Sequence, residues 1–138
     1  MPVKLYENDV KVYCAYCGKD VFENPKMSIM VMVKDLNTNS IIDVYACCKG
    51  KCDNILKLSR VKEKGVDGWK DIAAFHNPLT FLRQMFGIMN QLQKGVKIDE
   101  EAFKNYKELL LAGAQYVMRD PTEEEKKEAI LDSMVDGF

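Results

Sequence analysis

The stretch YACCKGKCDN, residues 45–54, holds three of the five cysteines of the chain, and they fall within six residues. The other two, Cys14 and Cys17, stand two residues apart in the earlier segment CAYCGK. Thiols this close can bind a metal, form a disulfide, carry redox chemistry or fill a core. The choice among these decides the fold of the first half of the chain.

Length and composition are those of an ordinary globular protein. The 138 residues are 47% hydrophobic and 30% charged, with a net charge of −1, which fits one domain with a real core. Near-neutral charge argues against a protein that coats nucleic acid through bulk electrostatics.

Nothing in the sequence indicates a membrane or an export signal. No apolar run approaches the ~20 residues that span a bilayer, and the first residues lack the apolar block of a secretory signal. We therefore expect a cytoplasmic protein with no membrane partner, in which thiols stay reduced. An odd number of cysteines also fits poorly with full disulfide pairing.

The first half of the chain predicts a β-hairpin. Residues 27–35 and 40–47 are rich in β-branched and long apolar side chains, and LNTN between them is a turn sequence. Ile29, Val31 and Val33 point to one face of the first strand, and Met30 and Met32 to the other. Because both faces are apolar, each needs a cover, which we expect from the second half of the chain.

The second half predicts helices. One begins at Asp53 and ends at Gly65, and a short one surrounds residues 69–75. A clearer helix spans residues 78–94, with Asn77 as its cap and Gly95 at its end. Its predicted buried stripe is Leu82, Met85, Phe86, Met89 and Leu92.

Two further helices complete the prediction. One opens at Asp99, with acids in its first turn. The last begins at Asp120 or Thr122 and has few apolar residues, so it is peripheral or depends on a partner. We thus expect an α+β fold, in which a zinc-binding module of residues 1–65 packs on three to four helices of residues 66–138 as one cooperative unit.

The CAYCGK segment has the spacing of a zinc knuckle. A tight turn between Cys14 and Cys17 lets the two thiolates converge, and the N–H groups after the first cysteine point at its sulfur. Gly18 after the second cysteine permits the positive φ that closes such a turn.

A second cysteine pair follows thirty residues later, at the end of the hairpin and the start of a helix. Cys52 would lie in the first helical turn, where free N–H groups and the helix dipole favour a thiolate. Knuckle, hairpin and helix in this order form the layout of a treble clef. The sequence therefore predicts one structural Zn²⁺ bound by Cys14, Cys17, Cys52 and one of Cys47 and Cys48.

Over about residues 10–64 the chain resembles treble-clef zinc fingers of the MYM and FCS types. The matching segments are CAYC and YACCKGKC, in which an aromatic residue precedes a Cys-x3-Cys pair before a helix. The resemblance implies a structural zinc ion and a role in contacting protein or nucleic acid. The helical half resembles no family that we can name.

Cys47 and Cys48 compete for the fourth ligand position. Neighbours on a strand point to opposite faces, so one of them reaches the metal readily and the other does not. Cys48 with Cys52 gives the three-residue gap of the fingers named above, and we favour it. Cys47 is the alternative, and otherwise a free or buried thiol.

Other functions have weaker support. A redox Cys-x-x-Cys motif should open a helix after a strand, whereas CAYCGK leads through a turn into another strand. Cysteines that merely fill a core would not fall into two close sets. His76, the only histidine, precedes a helix cap and is more typical of a turn. No catalytic constellation is visible, so we expect no enzyme, with a thiol-redox protein as the last alternative.

A basic segment supports a second function. Residues 49–64 carry a local charge of +4, against −5 for the remainder of the chain. The leading function is a non-enzymatic, regulatory zinc protein whose metal supports a surface for a protein partner or a second copy. The alternative is a nucleic-acid-binding regulator that uses the basic helix after Cys52, with contacts from Lys57, Arg60, Lys62 and Lys64. A simpler reading is that these lysines offset the charge of a zinc–tetrathiolate centre.

Overall fold

The computed structural model describes residues 10–61 and 65–118, together with Glu123 and Lys127. A short 3₁₀ turn at Pro25–Met27 leads into the hairpin strands β1 (Ser28–Asp35) and β2 (Ser40–Cys48). The later strands are β3 (Gly65–Asp71) and β4 (Lys97–Ile98). The helices are α1 (Lys51–Leu56), which continues into one π-helical turn at Lys57–Val61, α2 (Ala73–His76), α3 (Pro78–Gln93) and α4 (Glu100–Val117).

These elements form a mixed α+β fold, as the sequence predicts at this level. The four strands make one sheet in the order β3-β1-β2-β4. β1 is antiparallel to both β2 and β3, and β4 pairs in parallel with the start of β2. The predicted hairpin is therefore the centre of the sheet.

The outer edge of β2 is closed at three separate places. β4 pairs with Ser40 and Ile41, and the register of the hairpin then shifts, which marks a β-bulge. Beyond the bulge, the Asn105 side-chain amide donates to the Val44 carbonyl at 2.9 Å, and the Ala15 N–H donates to the Ala46 carbonyl at 2.9 Å. Carbonyl groups on the outer edge of β2 thus receive hydrogen bonds from α4 and from the segment that carries the first cysteine pair.

One face of the hairpin is covered by the helix that follows Cys52. Residues opposite each other in an antiparallel pair share a face, so Val31 shares this face with Tyr45. The Arg60 guanidinium lies 4.5 Å from the centre of the Tyr45 ring, and Leu56 of α1 is buried. The cover of this face therefore comes from the segment after Asp53, which is the first part of the predicted helical half and also belongs to the predicted module of residues 1–65.

The other hairpin face is covered by the C-terminal helices. Here α4 packs against β2, and α3 is more peripheral. A cavity of about 270 Å³ lies between them and the sheet, with Met30 and Met32 on the sheet side and Ile88 and Tyr106 on the helix side.

The structure corrects the prediction for residues 65–75. Gly65–Asp71 forms β3, and helix is found only at Ala73–His76. The free edge of β1 supplies pairing partners along the whole strand, and this long-range pairing overrides the local helical pattern. Gly65 also suits the strand, because a Cβ there would come within 2.6 Å of Val33 Cγ1.

The structure also corrects the predicted buried stripe of α3. The buried residues of this helix are Phe81, Gln84 and Ile88. The predicted stripe faces outward instead. All five of its residues are exposed, and so is Leu79 at the start of the helix. α3 is apolar around most of its circumference, so its sequence alone did not distinguish the inner stripe from the outer one.

Contacts between the N-terminal segment and α4 link the two ends of the fold. The Gln115 amide donates to the Val10 carbonyl at 2.7 Å, and the rings of Phe22 and Tyr116 stack at 5.5 Å between centroids. These contacts hold the segments on either side of the first cysteine pair against the C-terminal half of α4. Most of the last predicted helix, which begins at Asp120 or Thr122, lies outside the described residues.

Candidate metal centre

The first cysteine pair lies in a tight turn that is hydrogen-bonded at its base. Tyr13 bridges Asp20 across this turn, and the Cys14 N–H donates to the Lys19 carbonyl at 2.7 Å. The Gly18 φ of +80° closes the turn, where a side chain would be strained. This is the local geometry that the CAYCGK spacing predicts.

Backbone donors converge on the first sulfur of the turn. The N–H groups of Tyr16 and Cys17 point at Cys14 Sγ from 3.5 and 3.4 Å. Donors of this kind stabilise a thiolate and orient it toward a cation. Cys14 is buried and Cys17 is exposed, so the turn presents one inner and one outer sulfur.

The second pair is positioned by the end of β2 and the start of α1. Cys48 is the last residue of β2, and Cys52 is the second residue of α1. The chain reverses between them at Gly50, whose φ is +84°. Sequence reasoning passed over Gly50, although a glycine between closely spaced cysteines is the signal of such a reversal.

The structure brings four cysteines together at one end of the sheet. The Sγ atoms of Cys14, Cys17, Cys48 and Cys52 all lie within 4.8 Å of one another, and Cys17 Sγ is 3.6 Å from Cys48 Sγ. Four thiolates around a tetrahedral zinc ion at ~2.3 Å would have sulfurs about 3.8 Å apart. The cluster therefore fits a metal ion after small adjustments, and it could hold one.

Cys47 lies outside this cluster although it is adjacent in sequence to one of its members. It is fully buried and opposite Ile29 in the hairpin, on the sheet face covered by α1. Strand alternation thus separates Cys47 from Cys48. Burial, with the nearby Asp53 carboxylate, raises the pKa of the Cys47 thiol to about 12, so it is a neutral core group.

The surroundings of the cluster shift the pKa values of its thiols in different directions. Burial raises the pKa of Cys14, but N–H groups of Cys17, Cys48 and Tyr16 outweigh it and lower this pKa to about 6. Burial and contact with the Cys17 thiol raise the pKa of Cys48 to about 12, and burial also raises the pKa of Cys52. Cys14 therefore ionises easily, whereas Cys48 and Cys52 resist ionisation. A bound dication would stabilise all of these thiolates together.

The proposed nucleic-acid contacts are engaged in ion pairs where the structure describes them. Arg60 makes a two-pronged contact with Asp43 at 2.5 and 2.7 Å. The Lys57 ammonium lies 3.5 Å from the Asp53 carboxylate and 3.7 Å from that of Asp67. Asp43 and Asp67 lie on β2 and β3, and Asp53 lies four residues before Lys57 on the same helical segment, so both cations are paired within the chain. Lys62 and Lys64 lie outside the described residues.

The Asp43–Arg60 pair is a positioning feature that sequence reasoning missed. It fixes the π-helical turn on β2, while Lys49 at the end of β2 pairs with Asp71 of β3 at 2.9 Å. An acid at residue 43 and a base at residue 60 are too far apart in sequence for any helical or strand spacing to suggest the pair. Among the described residues, His76 is not a member of the cysteine cluster. Its ring packs against that of Tyr116, with 4.5 Å between the ring centroids.

Comparison with protein-family models, with curated proteins and with solved structures found no match for this chain. The likeness to MYM-type and FCS-type fingers therefore stays a prediction. Among the described residues, no helix combines the length and the apolar character needed to cross a bilayer.

Proposed function

We propose that the four-cysteine cluster binds one structural zinc ion in a treble-clef-like module of a non-enzymatic interaction protein. The observation that carries the proposal is the convergence of four Sγ atoms within 4.8 Å from two segments that are thirty residues apart. Soft thiolate ligands in tetrahedral arrangement select zinc or iron over magnesium or calcium. In a reduced compartment zinc is the ion that needs no redox partner.

A structural role follows from the donor set. Four thiolates close a tetrahedral shell, whereas a catalytic zinc keeps one position open for water or substrate. Cys14 and Cys17 would hold the zinc from the turn, and Cys48 and Cys52 would hold it from the end of β2 and the start of α1. The ion would thereby fasten the turn to the sheet and α1 to β2.

The proposed role of this scaffold is to present a surface to a protein partner. In the described part of the chain, Lys57 and Arg60 are paired with neighbouring acids, which weakens the support for nucleic-acid binding through these two residues. In contrast, α3 exposes a row of large apolar side chains. Exposed patches of this kind mark interaction sites in soluble proteins.

The metal is tested by elemental analysis of the purified full-length protein, together with native mass spectrometry. We expect one zinc per chain, and Cys48→Ser should abolish stoichiometric binding because three thiolates leave the shell incomplete. Cobalt substitution checks the coordination, since a four-thiolate site gives intense charge-transfer and d–d bands that a site with three thiolates does not reproduce.

Cys47→Ser is the matched control, because it changes the adjacent thiol and leaves the cluster intact. It should keep zinc at one per chain, even if burial of the hydroxyl lowers the unfolding temperature. Loss of zinc in Cys47→Ser with retention in Cys48→Ser would reassign the fourth ligand. A reduced, fully folded and metal-free wild-type protein would overturn the metal centre.

A further inference from the structure

The outward face of α3 carries an apolar stripe that nothing covers in the described part of the chain. Six large side chains on this 16-residue helix are between 36% and 84% exposed. They are Leu79, Leu82, Met85, Phe86, Met89 and Leu92, and we call them the α3 stripe. Phe81, Gln84 and Ile88 hold the opposite side of the helix in the core, so the helix cannot rotate to hide the stripe.

The stripe has the spacing of a helix-pairing seam. Leu79, Leu82, Phe86 and Met89 are separated by three, four and three residues, which is the spacing of the core positions of a coiled coil. Met85 and Leu92 flank them on one side. Such a seam, about 20 Å long from Leu79 to Leu92 at ~1.5 Å per residue, matches another helix rather than a flat surface or an extended peptide.

We propose that the occupant of the α3 stripe is the α3 helix of a second copy of this chain, packed antiparallel about a two-fold axis. This refines the interaction role proposed above and rests on it. In an antiparallel pair centred beside Gln84, Leu82 of each copy faces Phe86 of the other, and Leu79 faces Met89. Every layer of the contact is then apolar, and both copies use the same patch, as a two-fold interface requires.

The charge distribution favours a second copy over a charged partner. Residues 78–93 contain one charged side chain, Arg83, so the seam offers almost nothing to steer or pair an acidic or basic partner. A surface without charge pairs with its own copy at no electrostatic penalty. The seam therefore lacks a feature that would select a foreign chain over its own copy.

The shape of the surface beside the stripe also suits this arrangement. A cleft of about 600 Å³ lies next to Leu92, between the end of α3 and the start of α4. Ile98 and Phe103 form the other apolar part of its wall, and the charged side chains of Glu100, Glu101, Lys104 and Lys107 line the rest. Leu79 is the most exposed member of the stripe. In the antiparallel pair Leu79 of one copy lies beside Met89 and Leu92 of the other, at the mouth of this cleft.

The C-terminal segment of the same chain is a poorer occupant. α4 ends beside α2, because the Tyr116 ring lies 4.5 Å from that of His76, and α3 begins two residues after His76. A segment that turned back from there along α3 would first bring EEEKKE, residues 123–128, against Leu79 and Leu82. These charged side chains would either stay in water and leave that half of the seam uncovered, or lose their hydration at a cost in free energy.

The test is the oligomeric state of the zinc-loaded, full-length protein by analytical ultracentrifugation over a wide concentration range. We expect a reversible dimer, and Phe86→Glu should raise its dissociation constant at least about 100-fold, because a charge would enter both central layers. Leu58→Glu is the control: Leu58 is also an exposed apolar residue, at 83% against 54% for Phe86, but it lies on the π-helical turn, and the dimer should persist. A wild-type protein that stays monomeric overturns the proposal.

A charge-exchange experiment tests the register. Leu82→Lys should also dissociate the dimer, and an equimolar mixture with Phe86→Glu should form a heterodimer, because the new lysine faces the new glutamate. Failure of the mixture to associate overturns the antiparallel register. If wild type is monomeric and Ile130→Asp makes it dimeric, the C-terminal segment is the occupant and the proposal is wrong.

Zinc content measured on the same samples separates the two proposals. A zinc-loaded monomer would overturn the dimer and leave the metal centre standing. A protein that binds no zinc, whatever its oligomeric state, would overturn the metal centre. Phe86→Glu should retain its zinc and its helical circular dichroism, because the stripe faces away from the core.

Discussion

Two helical glycines differ sharply in whether their surroundings leave room for a side chain. A Cβ at Gly113 of α4 would come within 2.2 Å of the Phe75 carbonyl oxygen of α2, whereas one at Gly87 of α3 would meet nothing within 4 Å. Gly113 therefore allows α2 to lie directly on α4. The Tyr106 hydroxyl, which donates to the Gln84 carbonyl at 2.7 Å, fastens α3 to the same helix.

Gly113→Ala should lower the free energy of unfolding by about 2 kcal/mol or more, because two backbones must separate to admit one methyl group. Gly87→Ala is the control, and it should raise stability by about 0.5–1 kcal/mol through helix propensity. Denaturant titration of both variants measures the difference. Equal effects of the two substitutions would contradict the close approach of α2 to α4.

At the scale of elements, the segment after Cys52 is held to the sheet by side chains rather than by its own helical tendency. α1 is only six residues long and continues as a single π-helical turn, too short to be stable alone. The Arg60 guanidinium donates two hydrogen bonds to the Asp43 carboxylate and packs over the Tyr45 ring. The basic helix of the sequence analysis is thus a cover for the sheet.

Arg60→Lys tests this anchoring, because lysine keeps the charge but cannot make the two-pronged contact or stack on the ring. We expect a loss of about 1–2 kcal/mol in the free energy of unfolding. Arg83→Lys, on the exposed side of α3, should change it by no more than a few tenths of a kcal/mol. A silent Arg60→Lys would mean that the pair with Asp43 does not hold the segment in place.

At the scale of the whole molecule, contacts cross between the two segments that the sequence analysis separated at residue 65. β3 pairs along β1, Asn105 of α4 closes the edge of β2, and Gln115 reaches Val10. The cysteine cluster joins the N-terminal turn to the same sheet. Shared elements of this kind predict one cooperative unit.

Thermal unfolding should therefore give coincident transitions from two probes. The fluorescence of Trp69, the only tryptophan of the chain, reports on β3, and far-ultraviolet circular dichroism reports mainly on α3 and α4. Both curves should share one midpoint and shift down together when a chelator removes the proposed zinc ion. Two separate midpoints would show that the sheet and the helices unfold independently.

Local patterns in the sequence by themselves determined the hairpin, the CAYCGK turn, the start of α3 at Asn77 and the mixed α+β class. Each of these rests on neighbours within a few residues: alternation in β1 and β2, glycine at a positive φ, and a side-chain cap, for Asn77 accepts a hydrogen bond from Leu79 N–H at 2.8 Å. Strand alternation also required that Cys47 and Cys48 face opposite ways.

Only the tertiary structure decided what pairs with, covers or exposes these elements. Residues 65–71 became a strand because β1 had a free edge, and the outer stripe of α3 was mistaken for its core because both sides are apolar. The Asp43–Arg60 pair and the approach of α2 to Gly113 join residues far apart in the chain. Such choices depend on which surfaces meet, and periodicity within a single segment carries no information about its partner.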